Sequence, residues 1–334
     1  MWRPVHNFSY ARAADVDGAL RLVSQPGAQF IAGGTNLLDL MKGGVANPSR
    51  LVDITQLTAL AQIHELDSGG LHIGALAANS DTAALPAVRE RFPLLAQALL
   101  SGASPQLRNM ATVGGNILQR TRCGYFYDTG FEQCNKRRPG SGCAAIHGAN
   151  RNHAVLGASS ACIATHPSDM CVALVALDAA VNLRTARGAR QVALAEFQRL
   201  PGDTPHVDNR LASGEMLLSV ELPPNAWREH SAYLKVRDRA SYAFALVSVA
   251  AALHIEGGLI QDARLVLGGV AHKPWPVDAA TLLRGRRAEP AEFRRVAEVA
   301  FRDAVPYTDN GFKVELGKRA VVRALSMAAS GTNS

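Results

Sequence analysis

Residues 120–153 show neither helical nor strand periodicity, yet they sit in a chain whose other segments alternate short strands and helices. An unstructured loop of that length is unusual inside a compact domain unless it is disordered or something ties it down. The sequence carries the means to do so. Cys123, Cys134 and Cys143 lie in the loop and Cys162 follows it, so four of the five cysteines fall between 123 and 162. A glycine turn, Thr112-Val113-Gly114-Gly115-Asn116, precedes the loop, and Cys162-Ile163-Ala164-Thr165-His166-Pro167-Ser168-Asp169 closes it. If these thiols share one site, the fold gathers the loop back toward Cys162.

Composition sets the remaining bounds. At 334 residues the chain is long enough for two to three domains. Hydrophobic residues at 48% against 19% charged argue for a packed globular protein rather than disorder. The formal charge of +7 is spread along the chain apart from Lys136-Arg137-Arg138 and Arg284-Arg286-Arg287. That pattern disfavours nucleic-acid binding and suits a face that docks an acidic partner. No apolar run approaches the roughly 20 residues of a membrane span. The start, Met1-Trp2-Arg3-Pro4-Val5-His6-Asn7, lacks the apolar core of an export signal. Five cysteines are an odd number and too few for a disulfide scaffold of this size, which favours reduced thiols or metal ligation.

The periodicities predict a helix over 13–24, a strand over 29–32, a helix from Leu37 to Lys42 and a strand over 50–54, a βαβ unit. A strand over 71–75 leads to Asn79-Ser80-Asp81, read as an N-cap, and a second helix over 92–100 stops at Gly102. Asp169 to Leu177 reads as a buried helix, 180–185 and 216–222 as strands, and Pro223-Pro224-Asn225 as a boundary. Strands over 233–237, 245–255 and 262–270 then precede helices, the last over 310–327 with its N-cap in Thr308-Asp309-Asn310.

Two glycine turns between such elements can hold an anion. Gly33-Gly34-Thr35-Asn36 stands between a strand and a helix, where fresh backbone N–H groups attract phosphate. The turn spells neither the dinucleotide fingerprint nor the phosphate loop of the NTPases, so nicotinamide and nucleoside-triphosphate sites are disfavoured. With the second turn at Gly114-Gly115, Thr35, Asn36, Thr112 and Asn116 could donate to one extended diphosphate, as in a flavin dinucleotide. Asp169 reads either as a carboxylate favoured by the helix dipole or as an acceptor for a ribityl or flavin-ring donor. Lys235 and Arg237 are by default surface charges, and near a flavin they would favour its anionic reduced form.

The thiols follow C-x10-C-x8-C-x18-C. Structural zinc prefers close C-x2–4-C knuckles, which are absent, and a disulfide pair remains open. Four thiolates from a long loop also suit a [4Fe–4S] cluster, whose potential the Lys136-Arg137-Arg138 run would raise. Cys171, in an apolar helix, reads as a small buried hydrophobe.

Together, Ile31-Ala-Gly-Gly-Thr-Asn-Leu-Leu38, Gln106-Leu-Arg-Asn-Met-Ala-Thr-Val-Gly-Gly-Asn116, Cys162 to Asp169 and Lys235-Val-Arg-Asp-Arg-Ala-Ser-Tyr242 resemble the FAD-binding subunit of the xanthine dehydrogenase family of molybdenum hydroxylases. The resemblance runs over essentially the whole chain. The cysteine loop resembles the branch with an extra [4Fe–4S] cluster, found in periplasmic-type aldehyde oxidoreductases and in 4-hydroxybenzoyl-CoA reductase. Cys134-Asn-Lys-Arg-Arg-Pro-Gly-Ser-Gly-Cys143 and Ala271-His-Lys-Pro-Trp275 look closest to the aldehyde oxidoreductase flavoprotein subunit.

The resemblance implies an α+β fold: a two-subdomain FAD-binding region of the vanillyl-alcohol-oxidase type over 1–58 and 59–226, with the iron–sulfur loop inserted at 120–153. A C-terminal α/β domain of the CO dehydrogenase flavoprotein type would occupy 227–330. It implies FAD contacts at Ala32, Gly33, Gly34, Thr35, Asn36, Leu37, Ala103, Thr112, Gly114, Gly115, Asn116, Asp169, Leu217 and Lys235, with Leu217 against the isoalloxazine and Tyr242 as a cover for the ring. Cluster ligands would be Cys123, Cys134, Cys143 and Cys162. It implies a heterotrimer with a [2Fe–2S] small subunit and a molybdopterin-binding large subunit, an external electron acceptor, and no catalytic residue in this chain. Location would be cytoplasmic, or periplasmic by export with a signal-bearing partner. A benzoyl-CoA-type reductase subunit and a zinc-stapled nucleic-acid-binding protein are the alternative readings.

Overall fold

Three sheets carry the chain in order, and the computed structural model describes residues 6–331. Residues 1–5, which bear on the export-signal reading, and 332–334 of the tail lie outside the described residues. Strands β1 (Ser9–Arg12), β2 (Ala28–Ile31) and β3 (Arg50–Asp53) form the first sheet in the order β1-β3-β2, both pairings parallel. Helix α1 (Val16–Val23) begins where Asp15 accepts the Gly18 amide at 2.6 Å, and it buries Ala19 and Leu20 against Val52. Helix α2 (Leu37–Lys42) makes the crossover from β2 to β3 expected of the βαβ unit. Burial works against the Asp53 carboxylate at the end of β3, but hydrogen bonds from Tyr10, Thr55 and Arg12 outweigh it and hold the pKa at about 2.

Strands β4 (Ile63–Glu65), β5 (Leu71–Gly74), β6 (Ala180–Thr185), β7 (Gly188–Ala193) and β8 (Met216–Leu222) form an antiparallel sheet in the order β4-β5-β8-β6-β7. Between β5 and β6 the chain leaves the sheet through α3 (Asn79–Ala84), α4 (Pro93–Ser101), α5 (Pro105–Met110), α6 (Val113–Ile117) and α7 (Asp169–Ala176). Every residue of α7 is buried, because it packs on α4 and on the third sheet as well. A helix apolar all round is stable only in such a central place. Asn79 does not cap α3: the cap position is Ala78, which is bridged to Thr112, and Asn79 sits in the first turn.

The third sheet is antiparallel, β12-β11-β10-β9, from β9 (Ser231–Val236), β10 (Val247–Glu256), β11 (Leu259–Gly268) and β12 (Trp275–Val277). Helices α8 (Pro290–Ala300) and α9 (Phe312–Ser330) close a core over it through Phe293, Val296, Val321 and Leu325. Helix α9 starts after Gly311 rather than at the Thr308–Asn310 cap read from the sequence. Asp309 and Asn310 are engaged elsewhere: the Asn150 amide donates to Asp309 at 3.1 Å, the Asp309 amide donates to Asn150 at 2.9 Å, and Asn310 donates to Ala154 O at 3.1 Å.

Residues 120–162 therefore reach from the second sheet to the third. Apart from a helical turn at Gly124–Tyr127 they contain no regular helix or strand of their own among the described residues. Phe126, fully buried with Leu40 and Cys134, plugs the loop onto α2.

Candidate functional site

Each glycine turn is pressed against a neighbouring backbone segment that leaves no room for a side chain. A Cβ on Gly33 would lie 1.7 Å from Met110 O, and one on Gly114 would lie 2.9 Å from the Ala75 Cβ. Gly34 has φ +72°, a conformation open to glycine and strained for most side chains. Asn36 joins the turns: its Nδ2 donates to Gly115 O at 3.0 Å, and its Oδ1 accepts from Arg122. Thr112 caps α6 by accepting the Gly115 amide at 3.2 Å.

Around these turns lies a cavity of about 1230 Å³, bounded by all three parts of the chain. That exceeds the roughly 300–1,000 Å³ of an ordinary small-molecule cleft and suits an extended ligand. Gly33, Gly34, Thr35, Asn36, Ala103, Asn116, Asp169, Lys235 and Tyr242 line it, as does Cys123. Asn79 also lines it, and its Oδ1 is buried without a partner in the chain. The buried oxygen gives a bound molecule something to satisfy. Ala32, Leu37, Thr112, Gly114 and Gly115 lie next in sequence to lining residues or within the two turns but do not line the cavity, and Leu217 is buried in the core of the second sheet and does not line it either. Ala103 stands at φ +50°, and Tyr242 at φ +51° with its side chain exposed.

At the inner end Asp169 and Lys235 form a buried ion pair of 2.8 Å. Lys235 also donates to Ser101 O at 3.0 Å, and Tyr233 Oη donates to Asp169 at 2.7 Å. Lys235 is thus not the surface charge its neighbours suggest; β9 carries it inward onto α7. Burial first, then the Asp169 charge, holds the Tyr233 phenol protonated well beyond its ordinary range. Ser168, the N-cap of α7, donates to Asn116 Oδ1 at 2.7 Å, so the second turn and the start of α7 move as one piece.

The cysteine loop lies beside the same cavity. Cys134 and Cys143 face each other across an isolated antiparallel bridge. A hydrogen bond from Cys162 lowers the Cys143 thiol to about 6, and the same contact together with burial raises Cys162. Burial raises Cys123 to about 11, with smaller contributions from Cys134 and Cys143, and its Sγ lies 3.1 Å from His153 Nε2. All five thiols are free. Among the described residues no three His, Cys, Asp or Glu side chains are drawn together tightly enough for a single ion. Cys171 is fully buried on α7, away from the other four thiols. Lys136 is not solvated: it is buried, paired with Asp208, and donates to Pro205 O at 2.8 Å. Arg120 reaches the same Asp208 at 2.6 Å. Burial would raise that carboxyl, but the two cations prevail and lower it. Sequence reasoning missed Arg122, Asn79 and Asp208; only the Arg-Cys order at 122–123 hints that the loop delivers a cation.

Two paired glycine turns, a long cavity and a buried Asp–Lys pair make a site suited to an extended anionic ligand. The family described as FAD binding domain in molybdopterin dehydrogenase matches residues 6–225, and CO dehydrogenase flavoprotein C-terminal domain matches 231–329. The chain belongs to the FAD-binding medium subunits of the molybdenum hydroxylases, flavoproteins of oxidoreductase complexes. More particularly, it is 51% identical over 323 residues to the aldehyde oxidoreductase FAD-binding subunit PaoB of Escherichia coli K12, covering 96% of this chain and 98% of that one. The glyceraldehyde dehydrogenase medium chain of Sulfolobus acidocaldarius is 29% identical over 80% of this chain and 77% of its own. Among solved structures, carbon monoxide dehydrogenase from Hydrogenophaga pseudoflava superposes with a TM-score of 0.77 at 25% identity, covering 98% of this chain and 99% of that one. The α+β fold and the family resemblance read from the motifs are thereby established. Among the described residues no helix is long and apolar enough to cross a membrane.

Proposed function

We propose that this chain is the FAD- and [4Fe–4S]-binding electron-transfer subunit of a molybdenum-dependent aldehyde oxidoreductase. The observation that carries the reading is the drawing together of Cys134, Cys143 and Cys162, through the Cys134–Cys143 bridge and the Cys143–Cys162 hydrogen bond, within electrostatic reach of Cys123 at the cavity wall. A cubane cluster takes one thiolate on each of four irons, and these four residues supply that number. The 51% identity to an aldehyde oxidoreductase subunit favours the aldehyde over a CoA-thioester substrate.

The backbone of Gly33 to Leu37 and of Thr112 to Asn116 would cradle the diphosphate of FAD. Asp169 and Lys235 would fix the ribityl chain and the ring, with Ala32, Ala103 and Leu217 supporting. Bound there, FAD supplies a two-electron store between the [2Fe–2S] clusters of a small subunit and an external acceptor, with aldehyde oxidation on a molybdopterin-bearing large subunit. The chain's own part is to hold that store in place, set its charge environment through Lys235, and shield it from water. The assembly would be a heterotrimer, in the cytoplasm or exported with a partner.

One preparation tests this. The purified chain should show flavin absorption with a broad iron–sulfur contribution, and about four irons with matching acid-labile sulfide per chain. A chain that holds flavin and zinc but no iron overturns the cluster assignment; a colourless chain overturns both.

A further inference from the structure

Neither glycine turn contains a cation, yet a flavin dinucleotide carries its diphosphate charges where the turns meet. Several cations line the cavity, and the cysteine loop brings one of them to the junction of the turns. Arg122, the residue before Cys123, reaches back and donates to Asn36 Oδ1, the side chain that joins the two turns. Its guanidinium lines the cavity, and its Nε is buried without a partner in the chain. The nearest carboxylate, Asp39, is exposed and 3.8 Å away, too far and too wet to satisfy it. The planar group lies 5.3 Å from the centre of the Phe244 ring and 5.7 Å from that of the Tyr127 ring. Phe244 belongs to the segment between β9 and β10, and Tyr127 to the loop itself. A guanidinium fixed at the meeting of two anion-binding turns, with an unused donor, is built for a diphosphate.

We infer that Arg122 supplies the positive charge for the flavin's diphosphate, and that the cysteine loop, which carries Arg122, thereby sets the affinity for FAD. Both halves rest on the proposed seat of the diphosphate at the two glycine turns, and the second rests also on the reading of the loop thiols as cluster ligands. The consequence is a physical link between the two cofactor sites: a loop that loses its staple releases Arg122 and, with it, the flavin.

The test is FAD release from the full-length chain, followed by flavin fluorescence on dilution at low and high salt. At low salt, Arg122→Met should bind FAD roughly tenfold or more weakly, as for loss of a charged hydrogen bond. The deficit should shrink at high salt, where wild-type loses the same attraction to screening. Arg122→Lys should recover part of it. Unchanged affinity, or a loss independent of salt with no recovery by lysine, overturns the role of Arg122. Cys134 does not line the cavity, so Cys134→Ser reports on the loop alone. It should weaken FAD binding in the wild-type background and add nothing to Arg122→Met, and additive losses overturn the link. Should Cys134→Ser not fold, the same comparison is made on wild-type and Arg122→Met chains stripped of iron by a chelator. Absence of iron in the untreated wild-type chain would mark failure of the cluster reading itself, leaving the Arg122 result standing on its own.

Discussion

Asp169 and Lys235 show how a single buried pair can be both scaffold and site. Each is under a tenth exposed, and together they tie α7 to β9 at the inner end of the cavity. Removing one partner leaves the other charged in a dry place, which typically costs about 3–5 kcal/mol, whereas removing both charges is far cheaper. Lys235→Met should therefore lower the unfolding free energy of the flavin-free chain by about 3 kcal/mol, and Asp169→Asn in the same chain should restore most of it. Denaturant midpoints of the two variants decide the matter, and a double variant no more stable than the single one would refute it. Neither the pair nor the burial of Lys136 is legible in sequence, and for the same reason. Lys235 and Lys136 sit in runs of charge that look solvated, and each is neutralised by a carboxylate more than sixty residues away. By contrast Cys171 is legible, because its neighbours Met170, Val172 and Ala173 already declare a buried helix.

At the scale of elements, local pattern and turn chemistry account for most of what was readable. The βαβ unit, the strands over 180–185 and 216–222 and the all-apolar helix after Asp169 follow from periodicity. The caps of α3 and α9 do not, since Ala78 is captured by Thr112 and Asp309 by Asn150. Helix α5 was hidden by its brevity, and it is the element that forces glycine at position 33. Met110 ends that helix with its carbonyl 1.7 Å from where a Gly33 Cβ would stand, and a backbone oxygen has no rotamer to yield. Gly33→Ala must push the first glycine turn away from α5 while leaving every sheet intact. The expected result is a folded chain with unchanged far-ultraviolet dichroism and FAD affinity reduced at least about tenfold, a wall displaced by a fraction of an ångström being enough. Full FAD occupancy in Gly33→Ala would show that the close approach has no bearing on the site.

On the scale of the whole molecule, the loop over 120–162 adds to the packing of α7 on the third sheet as a second connection between the parts of the chain, and Lys313 is its anchor on the far side. This lysine, on α9, is fully buried and donates to His153 O at 2.9 Å and to Gly269 O at 2.7 Å, joining the end of the loop to the turn after β11. Burial, aided by Arg151, lowers its pKa to about 7 from the usual 10.5. Between those values the unfolded chain holds a proton that the folded chain has released, so stability must rise with pH across that window. Methionine matches the length of lysine but neither donates nor titrates. At pH 6 the cost of burying the ammonium offsets much of what the two hydrogen bonds contribute, and wild-type and Lys313→Met should differ by less than about 1 kcal/mol. By pH 9 the neutral amine still donates to both carbonyls and the desolvation cost has gone, so the wild-type advantage should grow by about 2 kcal/mol. Denaturation at the two pH values measures this directly, and a difference that stays constant would mean that Lys313 remains charged in the folded protein. Amide exchange over 150–156 should rise in the same variant, because the loop end would lose the Lys313 bond to His153 O while keeping its backbone bonds to Ile163 and Val270. Any such loosening reaches Cys123 through His153, whose ring touches that thiol, so an anchor in the C-terminal sheet bears on the cavity wall formed by the first two.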